Sequence, residues 1–398
     1  MGPSSISART TAAFIAATAS RNSLGSASVT ALTVAPSGGA CSQARRGSMV
    51  PVSTRRHLPE APYLAAATGR KPVHTPVWFM RQAGRCLPEY RTLREHHPFM
   101  EVATTPELAA RATLMPVDRW GVDGAVLFAD IMLPFTGLGI PFEIRSSVGP
   151  TIADPIRTAD QVSALHVVDA EEGTPYVLEA VRILRRELGD RAALLGFSGA
   201  PFTLACYAIE GNGSREYPKA KALMYGEPKV WHALMEKLTD TVIGYLRGQI
   251  EAGADVVQLF DSWLGVLSRE AYREFALPYT RRIFAEISPL APTIHFSTGT
   301  AHLLPEIGAS GCAMVSVDWR LPIDEAWSQL PQDVGIQGNL DPALVVAGWD
   351  AASRGVEEIL ARVGDRRGHI FNLGHGIIPE SDPDVLGRIV EQVHAAGK

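Results

Sequence analysis

The chain contains 398 residues, of which 46% are hydrophobic and 20% charged, a composition typical of a globular protein that buries a sizeable core. Its formal net charge of −5 argues against binding of nucleic acid by broad neutralisation of phosphates, and no apolar run reaches the roughly 18 residues of a membrane-spanning helix. The cysteines, Cys41, Cys86, Cys206 and Cys312, lie far apart without a CxxC pair, which predicts neither a zinc site nor a disulfide framework and favours a reducing compartment.

The first 48 residues differ in composition from the rest of the chain. Residues 1–48 hold arginine but no lysine and no acidic residue, and they are rich in Ser, Thr, Ala and Gly, so we expect a disordered leader and a folded domain at residues 49–398. One hypothesis is that Met49 is the true start in a bacterium, because Arg45 and Arg46 are what a ribosome-binding AGGAGG sequence would encode. This start predicts a cytoplasmic protein. The alternative is a transit peptide, which would direct the protein to a plastid, while a secretory signal fits less well.

Eight short apolar runs follow along the chain. Each is rich in Val, Ile, Leu or Phe with little alternation of polar residues, which is typical of strands covered on both faces of a parallel sheet. The predicted strands are residues 75–80, 124–128, 193–197, 255–260, 292–296, 313–317, 334–338 and 369–373.

Amphipathic segments between these runs predict helices. They are residues 105–120, where Pro116 is expected to disturb the helix, and residues 174–189, 228–253, 268–287 and 382–397. The alternation of strands and helices predicts a single α/β domain, a (β/α)8 TIM barrel with additional helices. A doubly wound open sheet is the alternative, but the nearest candidate for its glycine-rich turn, residues 211–216, has Glu216 in place of the third glycine.

In such a barrel, functional side chains lie where the strands end and the following loops begin. Polar residues at the predicted junctions are Arg81, Gln82 and Arg85 after the first strand, Asp130 after the second, Asp261 and Ser262 after the fourth, Asp318 after the sixth and His375 after the eighth. We therefore expect these side chains to converge on one rim, although Ser262 could equally cap a helix.

The residue types on this rim suit an anionic ligand. Arg81 and Arg85 present two guanidinium groups on a glycine-containing loop, a pattern suited to several carboxylates or phosphates, although surface salt bridges are the commoner role of arginine. Asp130 is either a functional carboxylate or a helix cap. His375, between two glycines, either contacts a ligand or is structural, and Tyr207 on a helical stretch could equally pack in the core.

Several segments are more informative in combination than any single residue. They are "PVWFMRQAGRCLPEYR" (76–91), "LFADIMLPFTGLGIPFEI" (127–144), "GFSGAPFTLACYAIEG" (196–211), "QLFDSW" (258–263), "VSVDWR" (315–320), "IQGNLDP" (336–342) and "NLGHGIIP" (372–379). Together they resemble the uroporphyrinogen decarboxylase family from about residue 60 to the C-terminus, and the first and last are the most specific. Met115 and Cys86 depart from the family pattern, which usually has glutamine and an aromatic residue there.

The resemblance implies a (β/α)8 enzyme that uses no cofactor and no metal. Such an enzyme converts the four acetate side chains of uroporphyrinogen III to methyl groups, releases CO2 and yields coproporphyrinogen III in the synthesis of heme and chlorophyll. The resemblance also implies a homodimer with a small-molecule substrate and with no nucleic-acid or membrane partner. It implies substrate-binding roles for Arg81, Gln82, Ala83, Gly84, Arg85, Asp130, Tyr207, Ser262 and His375, with catalytic roles for Arg81, Asp130, Tyr207 and His375.

The chemistry of this reaction agrees with those residue types. Protonation of the pyrrole carbon beside an acetate makes the ring an electron sink, so neither pyridoxal nor thiamine is needed. A fixed carboxylate at Asp130 would accept the pyrrole N–H groups and stabilise the developing cation. Arg81 would hold the reacting carboxylate and is a candidate proton relay, with Tyr207 and His375 as alternative donors.

Three rival functions remain open at this point. A methyltransferase on the same barrel would need thiolate-bound zinc, but the chain has Ser297 and His375 where such relatives carry cysteines. A glycoside hydrolase would need two carboxylates at a set separation, for which Asp130 and Asp261 are the candidates. A barrel that binds tetrapyrroles without catalysis is the third.

Overall fold

The predicted apolar runs form a parallel sheet in the computed structural model, which describes residues 61–145 and 149–396. The predicted leader at residues 1–48, including Cys41, lies outside the described residues. In chain order the strands are β1 (Gly124–Val126), β2 (Glu143–Arg145), β3 (Gly149–Thr151), β4 (Ala193–Gly199), β5 (Val256–Asp261), β6 (Thr293–Ser297), β7 (Met314–Ser316), β8 (Gly335–Leu340) and β9 (His369–Leu373). Seven of them form one parallel sheet in the order β1-β4-β5-β6-β7-β8-β9, and β2 and β3 form an antiparallel pair beside it.

The sheet closes into a barrel through the segment that the sequence predicted as the first strand. Val77 bridges Phe371 of β9 in parallel, and the Val77 carbonyl accepts a hydrogen bond from the Asp123 N–H at the start of β1 (2.8 Å). The predicted strand at 75–80 is therefore reduced to one bridging residue. Its ladder stops because the Phe79 N–H donates to the Gln82 side chain and the Met80 N–H donates to the Asn372 side chain.

Burial explains why the parallel strands carry continuous apolar runs. Every residue of the seven strands is buried, because one face lines the barrel interior and helices cover the other. The interior also holds a polar group around Gln337, whose side chain accepts from Trp78 Nε1 (2.8 Å) and Tyr63 OH (3.1 Å) and donates to Ser316 Oγ (2.9 Å) and Gln258 Oε1 (3.0 Å).

Helices surround the sheet and fill the connections between strands. The α-helices are α1 (Pro62–Ala67), α2 (Pro88–His96), α3 (Phe99–Thr104), α4 (Pro106–Trp120), α5 (Pro134–Leu138), α6 (Ala159–Ser163), α7 (Ala170–Gly173), α8 (Pro175–Leu188), α9 (Pro201–Glu210), α10 (Pro218–Gly226), α11 (Pro228–Ala252), α12 (Arg269–Phe275), α13 (Leu277–Ile287), α14 (Leu304–Gly308), α15 (Ile323–Ser328), α16 (Pro342–Val346), α17 (Trp349–Val363) and α18 (Pro383–Ala396). Many begin with proline in the first turn, where a backbone N–H would have no acceptor within the helix, so proline costs no hydrogen bond.

Two helix predictions need correction. The segment 268–287 forms two helices, α12 and α13, which are separated at Ala276 because Pro278 has no N–H to continue the hydrogen-bond ladder. Conversely, Pro116 was expected to disturb the helix at 105–120, but α4 continues through Pro116 to Trp120.

Two broader sequence expectations can be compared with the described residues. None of the helices there combines the length and apolar character that a bilayer span requires. Cys86, Cys206 and Cys312 are buried and free of disulfide bonds.

Candidate active site

The loop that follows the closing segment presents two arginines in an uncommon backbone conformation. Arg81 and Arg85 have φ angles of 62° and 67°, in the left-handed region that residues with a Cβ rarely adopt. The Gly84 N–H donates to the Arg81 carbonyl (3.0 Å), which tightens the loop between them. Strained backbone of this kind persists only where surrounding contacts fix it, so the loop is built to hold these two side chains in place.

Gln82 supplies the contact that fixes the loop. Its side chain is fully buried, with Oε1 accepting from the Phe79 N–H (3.0 Å) and Nε2 donating to the Gly124 carbonyl at the start of β1 (2.8 Å). Ala83 is also buried. Of the five loop residues predicted to bind substrate, the side chains of Gln82 and Ala83 are therefore committed to the protein interior, and Arg81 and Arg85 are exposed.

The last strand places a second loop directly against Arg81. A Cβ added to Gly376 would lie 2.7 Å from Cδ and 3.0 Å from Cγ of Arg81, so only glycine leaves room for the arginine side chain there. The Ile377 N–H donates to the Met80 carbonyl (2.9 Å), which joins the two loops. His375 thereby comes to the same rim as Arg81, as its position after β9 predicts.

Asp130 follows β1 and lies within the electrostatic range of Arg81. Its Oδ1 accepts from the Met132 N–H (2.9 Å). Burial raises the pKa of the Asp130 carboxyl above its ordinary value, against the Met132 hydrogen bond and the Arg81 charge, which both act to lower it. Burial therefore destabilises the ionised form of Asp130, and a cationic partner would stabilise it.

Tyr207 reaches the same group from α9. Burial and the nearby Asp130 charge raise the pKa of Tyr207 to about 12, while the Arg81 charge acts in the opposite direction. The phenol consequently keeps its proton at neutral pH and can donate a hydrogen bond. Its ring also packs against Trp263, with ring centroids 5.9 Å apart.

His375 is the third titratable group of the rim with a shifted pKa. Burial, with the charges of Arg81 and Arg320, lowers the pKa of His375 to about 4, and Asp318 opposes the shift. The imidazole is therefore neutral near pH 7. The rings of Phe296 and Trp319 pack beside it, at centroid distances of 6.1 and 6.4 Å.

Arg320 is a rim residue that the sequence analysis missed. Its Nη1 donates to Asp318 Oδ2 (2.8 Å), its backbone N–H donates to Asp318 Oδ1 (2.8 Å), and its guanidinium lies 4.2 Å from the Trp319 ring centroid. The side chain is 54% exposed. The available signal was its position two residues after Asp318, a polar residue that follows the predicted sixth strand.

Ser262 lies at the end of β5, between the buried Asp261 and the half-buried Trp263 that packs on Tyr207. Its carbonyl accepts from Thr298 Oγ1 (2.8 Å). Ser268, rather than Ser262, caps the next α-helix. The strand order therefore brings Ser262 to the same rim as Tyr207.

Asp261, the second candidate carboxylate for a glycoside hydrolase, is closed off from solvent. It is fully buried, with Oδ1 accepting from Thr203 Oγ1 (2.7 Å) and Oδ2 3.8 Å from His295 Nε2, which is also fully buried. A pair of accessible carboxylates flanking a glycosidic bond would require Asp261 to be open to substrate. The geometry thus weighs against that rival function.

Comparisons with known proteins identify the family of the chain. The family model described as uroporphyrinogen decarboxylase (URO-D) matches residues 58–396. A uroporphyrinogen decarboxylase of Saccharopolyspora erythraea is 51% identical over 356 residues, covering 87% of this chain and 98% of that protein. Another from Mycobacterium bovis is 48% identical over 358 residues, covering 86% of this chain and all of the relative.

Solved structures with a similar fold are more distant in sequence. A methyltransferase from Methanosarcina mazei superposes with a TM-score of 0.72 at 19% identity, covering 85% of this chain and 98% of its own. A putative vitamin-B12 independent methionine synthase from Listeria monocytogenes gives a TM-score of 0.52 at 12% identity, covering 81% of this chain and 96% of its own. These identities support the barrel fold alone. The family match over residues 58–396, by contrast, spans all of the described residues, and the chain belongs to the uroporphyrinogen decarboxylase family.

Proposed function

We propose that this protein decarboxylates the acetate side chains of uroporphyrinogen III in tetrapyrrole synthesis, with Arg81, Asp130, Tyr207 and His375 carrying the chemistry at the carboxyl-terminal rim of the barrel. The observation that carries the assignment is the shared influence of Arg81. Its charge lowers the pKa values of both Asp130 and His375 and opposes the upward shift at Tyr207, so one cation lies within range of all three groups.

The cations of the rim match the charge of the substrate. Uroporphyrinogen carries eight carboxylates, and a guanidinium can hold a carboxylate through two parallel hydrogen bonds. Arg81 and Arg85 project from one loop, and Arg320 projects from the loop after β7. We assign Arg81 to the reacting acetate and Arg85 to other carboxylates of the same macrocycle.

The reaction needs a temporary place for the electrons of the breaking bond. A proton adds to the pyrrole carbon beside the acetate and makes the ring an iminium-like cation. The bond to the carboxylate then breaks, its electron pair enters the ring and CO2 leaves. Loss of the ring proton and protonation of the exocyclic carbon give the methyl group, so each acetate consumes one proton in total. The substrate itself supplies the electron sink, and we therefore propose a cofactor-independent reaction.

Asp130 stabilises the cationic ring in this scheme. Oδ1 accepts a hydrogen bond from the Met132 N–H. We assign the pyrrole N–H groups as donors to the other lone pairs of the carboxylate. A buried carboxylate with a raised pKa gains most when a positive charge forms beside it, because little solvent screens the attraction. The interaction is stronger with the cation than with the neutral ring, which is the condition for faster decarboxylation.

The two remaining groups differ in what they can donate. Tyr207 keeps its proton and so donates a hydrogen bond to a substrate carboxylate at neutral pH. His375 is neutral in the free protein, but bound carboxylates would neutralise Arg81 and attract a proton to the imidazole. We therefore assign the general-acid role to His375 in the substrate complex and the positioning of the carboxylate to Tyr207.

The proposal includes a homodimer located in the cytoplasm, with a plastid as the alternative location if residues 1–48 act as a transit peptide. Its support is the family membership. Analytical ultracentrifugation of the purified protein would measure twice the 42.8 kDa chain mass for a dimer. A monomer at working concentration would contradict that part of the proposal.

Anaerobic incubation of the full chain with uroporphyrinogen III tests the activity, with products separated by carboxylate number. We expect products with seven to four carboxylates, and we expect Asp130→Asn to lower kcat by about 1000-fold while the substrate still binds. Asp365→Asn, a change at an exposed residue, is the matched control. Binding without turnover by the unaltered protein would favour the non-catalytic barrel, and full activity of Asp130→Asn would remove Asp130 from the mechanism.

A further inference from the structure

A second cluster of polar side chains lies at the opposite end of the barrel. Asp123 immediately precedes β1, and its carbonyl accepts from the Ala193 N–H at the start of β4 (2.9 Å), which places it at the amino ends of the strands. His74 precedes the closing segment, and His394 lies in the last turn of α18. The mechanism above uses none of these residues.

The three side chains converge through their ligand atoms. His74 Nε2 lies 2.8 Å from Asp123 Oδ1, and His394 Nε2 lies 2.8 Å from Asp123 Oδ2. All three ligand atoms lie within 4.8 Å of one another, and the imidazole centroids are 4.1 Å apart at an interplanar angle of 50°. Both imidazoles therefore direct Nε2 at the same carboxylate.

The 2.8 Å between each histidine nitrogen and the Asp123 carboxylate is slightly shorter than the distance between two ligand atoms of a zinc ion. Ligands in a tetrahedral zinc site lie about 2.0–2.2 Å from the ion and so roughly 3.3 Å from one another. Small rotations of the two imidazoles, by which each nitrogen moves about half an ångström from the carboxylate, would make room for an ion.

The surroundings fix the carboxylate and leave access from solvent. The Val77 N–H donates to Asp123 Oδ2 (2.8 Å), and the Asp123 N–H donates to the Val77 carbonyl (2.8 Å). Such a hydrogen bond to a ligating carboxylate orients it, as outer-shell partners do in metal sites. The side chains of His74 and His394 are 21% and 25% exposed, so water can complete the coordination of an ion.

We propose that His74, Asp123 and His394 bind one divalent transition-metal ion of the zinc class at the amino-terminal face of the barrel. Two imidazoles with one carboxylate suit zinc, cobalt or nickel, whereas magnesium and calcium prefer oxygen ligands alone. The ion joins the last turn of α18 to the chain before β1, which are 271 residues apart in sequence. Its role is to stabilise the closure of the barrel, and the proposal does not depend on the decarboxylase activity.

The test uses the full chain, freed of metal with a chelator and then titrated with Zn²⁺ by calorimetry and with Co²⁺ by visible absorption. We expect one equivalent to bind and to raise the Tm by several degrees, because an ion that binds only the folded state stabilises it. His96→Ala is the matched control, since His96 is exposed and lies outside the cluster.

His394→Gln separates metal binding from a hydrogen-bonded cluster. The glutamine amide can still donate to Asp123 but is a poor ligand for zinc. We expect the variant to keep the Tm of the metal-free protein and to bind Zn²⁺ more than about 100-fold more weakly, since even outer-shell changes cost roughly 10- to 100-fold. Zn²⁺ binding by His394→Gln equal to that of His96→Ala, or no saturable binding by the unaltered protein, would overturn the proposal.

Discussion

At the scale of single residues, the shifted pKa of Asp130 gives the proposed mechanism a testable dependence on pH. The mechanism needs the ionised carboxylate, and burial raises its pKa, so protonation on acidification begins at a higher pH than for an ordinary aspartate. We expect kcat, measured at saturating substrate where His375 already carries its proton, to fall with decreasing pH through the pKa of Asp130, with a slope of about one in a logarithmic plot.

Variants identify the group responsible for this acidic limb. Asp130→Glu should move the limb, whereas titration of the substrate's own carboxylates would remain in place. His375→Gln should lower kcat but leave the limb where it is, because an imidazole that is already protonated in the complex does not titrate on further acidification. A limb that disappears in His375→Gln would transfer the essential titration from Asp130 to His375.

Gly376 tests whether the position of Arg81 matters. An alanine Cβ would lie 2.7 Å from Arg81 Cδ and force the side chain to move. We expect Gly376→Ala to lower kcat/KM by about 10- to 100-fold, since displacement of a positioning group by about 1 Å can cost this much, with little change in Tm. Gly244→Ala, where nothing lies within 4 Å of the added carbon, is the control. Unchanged kinetics in Gly376→Ala would mean that the Arg81 position is not limiting.

Single residues also show where sequence reasoning stops. The glycines beside His375 indicated close approach to a ligand, but its pKa is lowered by burial and by the charges of Arg81 and Arg320, which belong to other loops. Likewise, His74 and His394 are 49 and 271 residues from Asp123, so no local spacing could indicate their cluster. Sites formed by residues from distant segments can be recognised only once the order of the strands in the sheet is known.

At the scale of elements, the first loop depends on one buried side chain. Gln82→Leu would leave the Phe79 N–H and the Gly124 carbonyl without partners in the interior. We expect the free energy of unfolding to fall by about 2–5 kcal/mol, because an unsatisfied buried group costs about 1–3 kcal/mol, and KM to rise as Arg81 and Arg85 lose their support. Urea titration and steady-state kinetics measure the two effects. Gln332→Leu at an exposed position is the control, and equal stability of the two variants would contradict this role.

Apolar runs predicted the strands well because their burial is continuous. The predicted strand at 369–373 coincides with β9, and the run at 193–197 lies within β4, which continues to Gly199. The hairpin of β2 and β3 was missed because its short strands are not buried and carry no apolar run. Local propensity therefore indicated the elements that pack on both faces, and tertiary contacts set their ends.

At the scale of the whole molecule, barrel closure separates two kinds of site. The carboxyl ends of the strands gather Arg81, Asp130 and His375, while the amino ends gather His74, Asp123 and His394. Substitutions at the two ends should therefore affect different measurements, activity at one and stability at the other. The alternation of strands and helices predicted the group at the carboxyl ends, because sites of (β/α)8 enzymes lie at that face, but it did not predict the cluster at the amino ends.

The whole barrel should be contained in residues 49–398. The family match begins at residue 58, and the first described helix, α1, begins at Pro62. We expect a protein of residues 49–398 to keep the kcat/KM of the full chain within about twofold and to unfold at the same urea concentration, since residues 1–48 precede the family match and have too few large apolar residues to form a core. A truncated protein that folds but has lost activity would give residues 1–48 a part in substrate binding or assembly. If truncation abolished folding, the barrel would need residues 1–48, and the prediction from their composition that they are a disordered leader would be wrong.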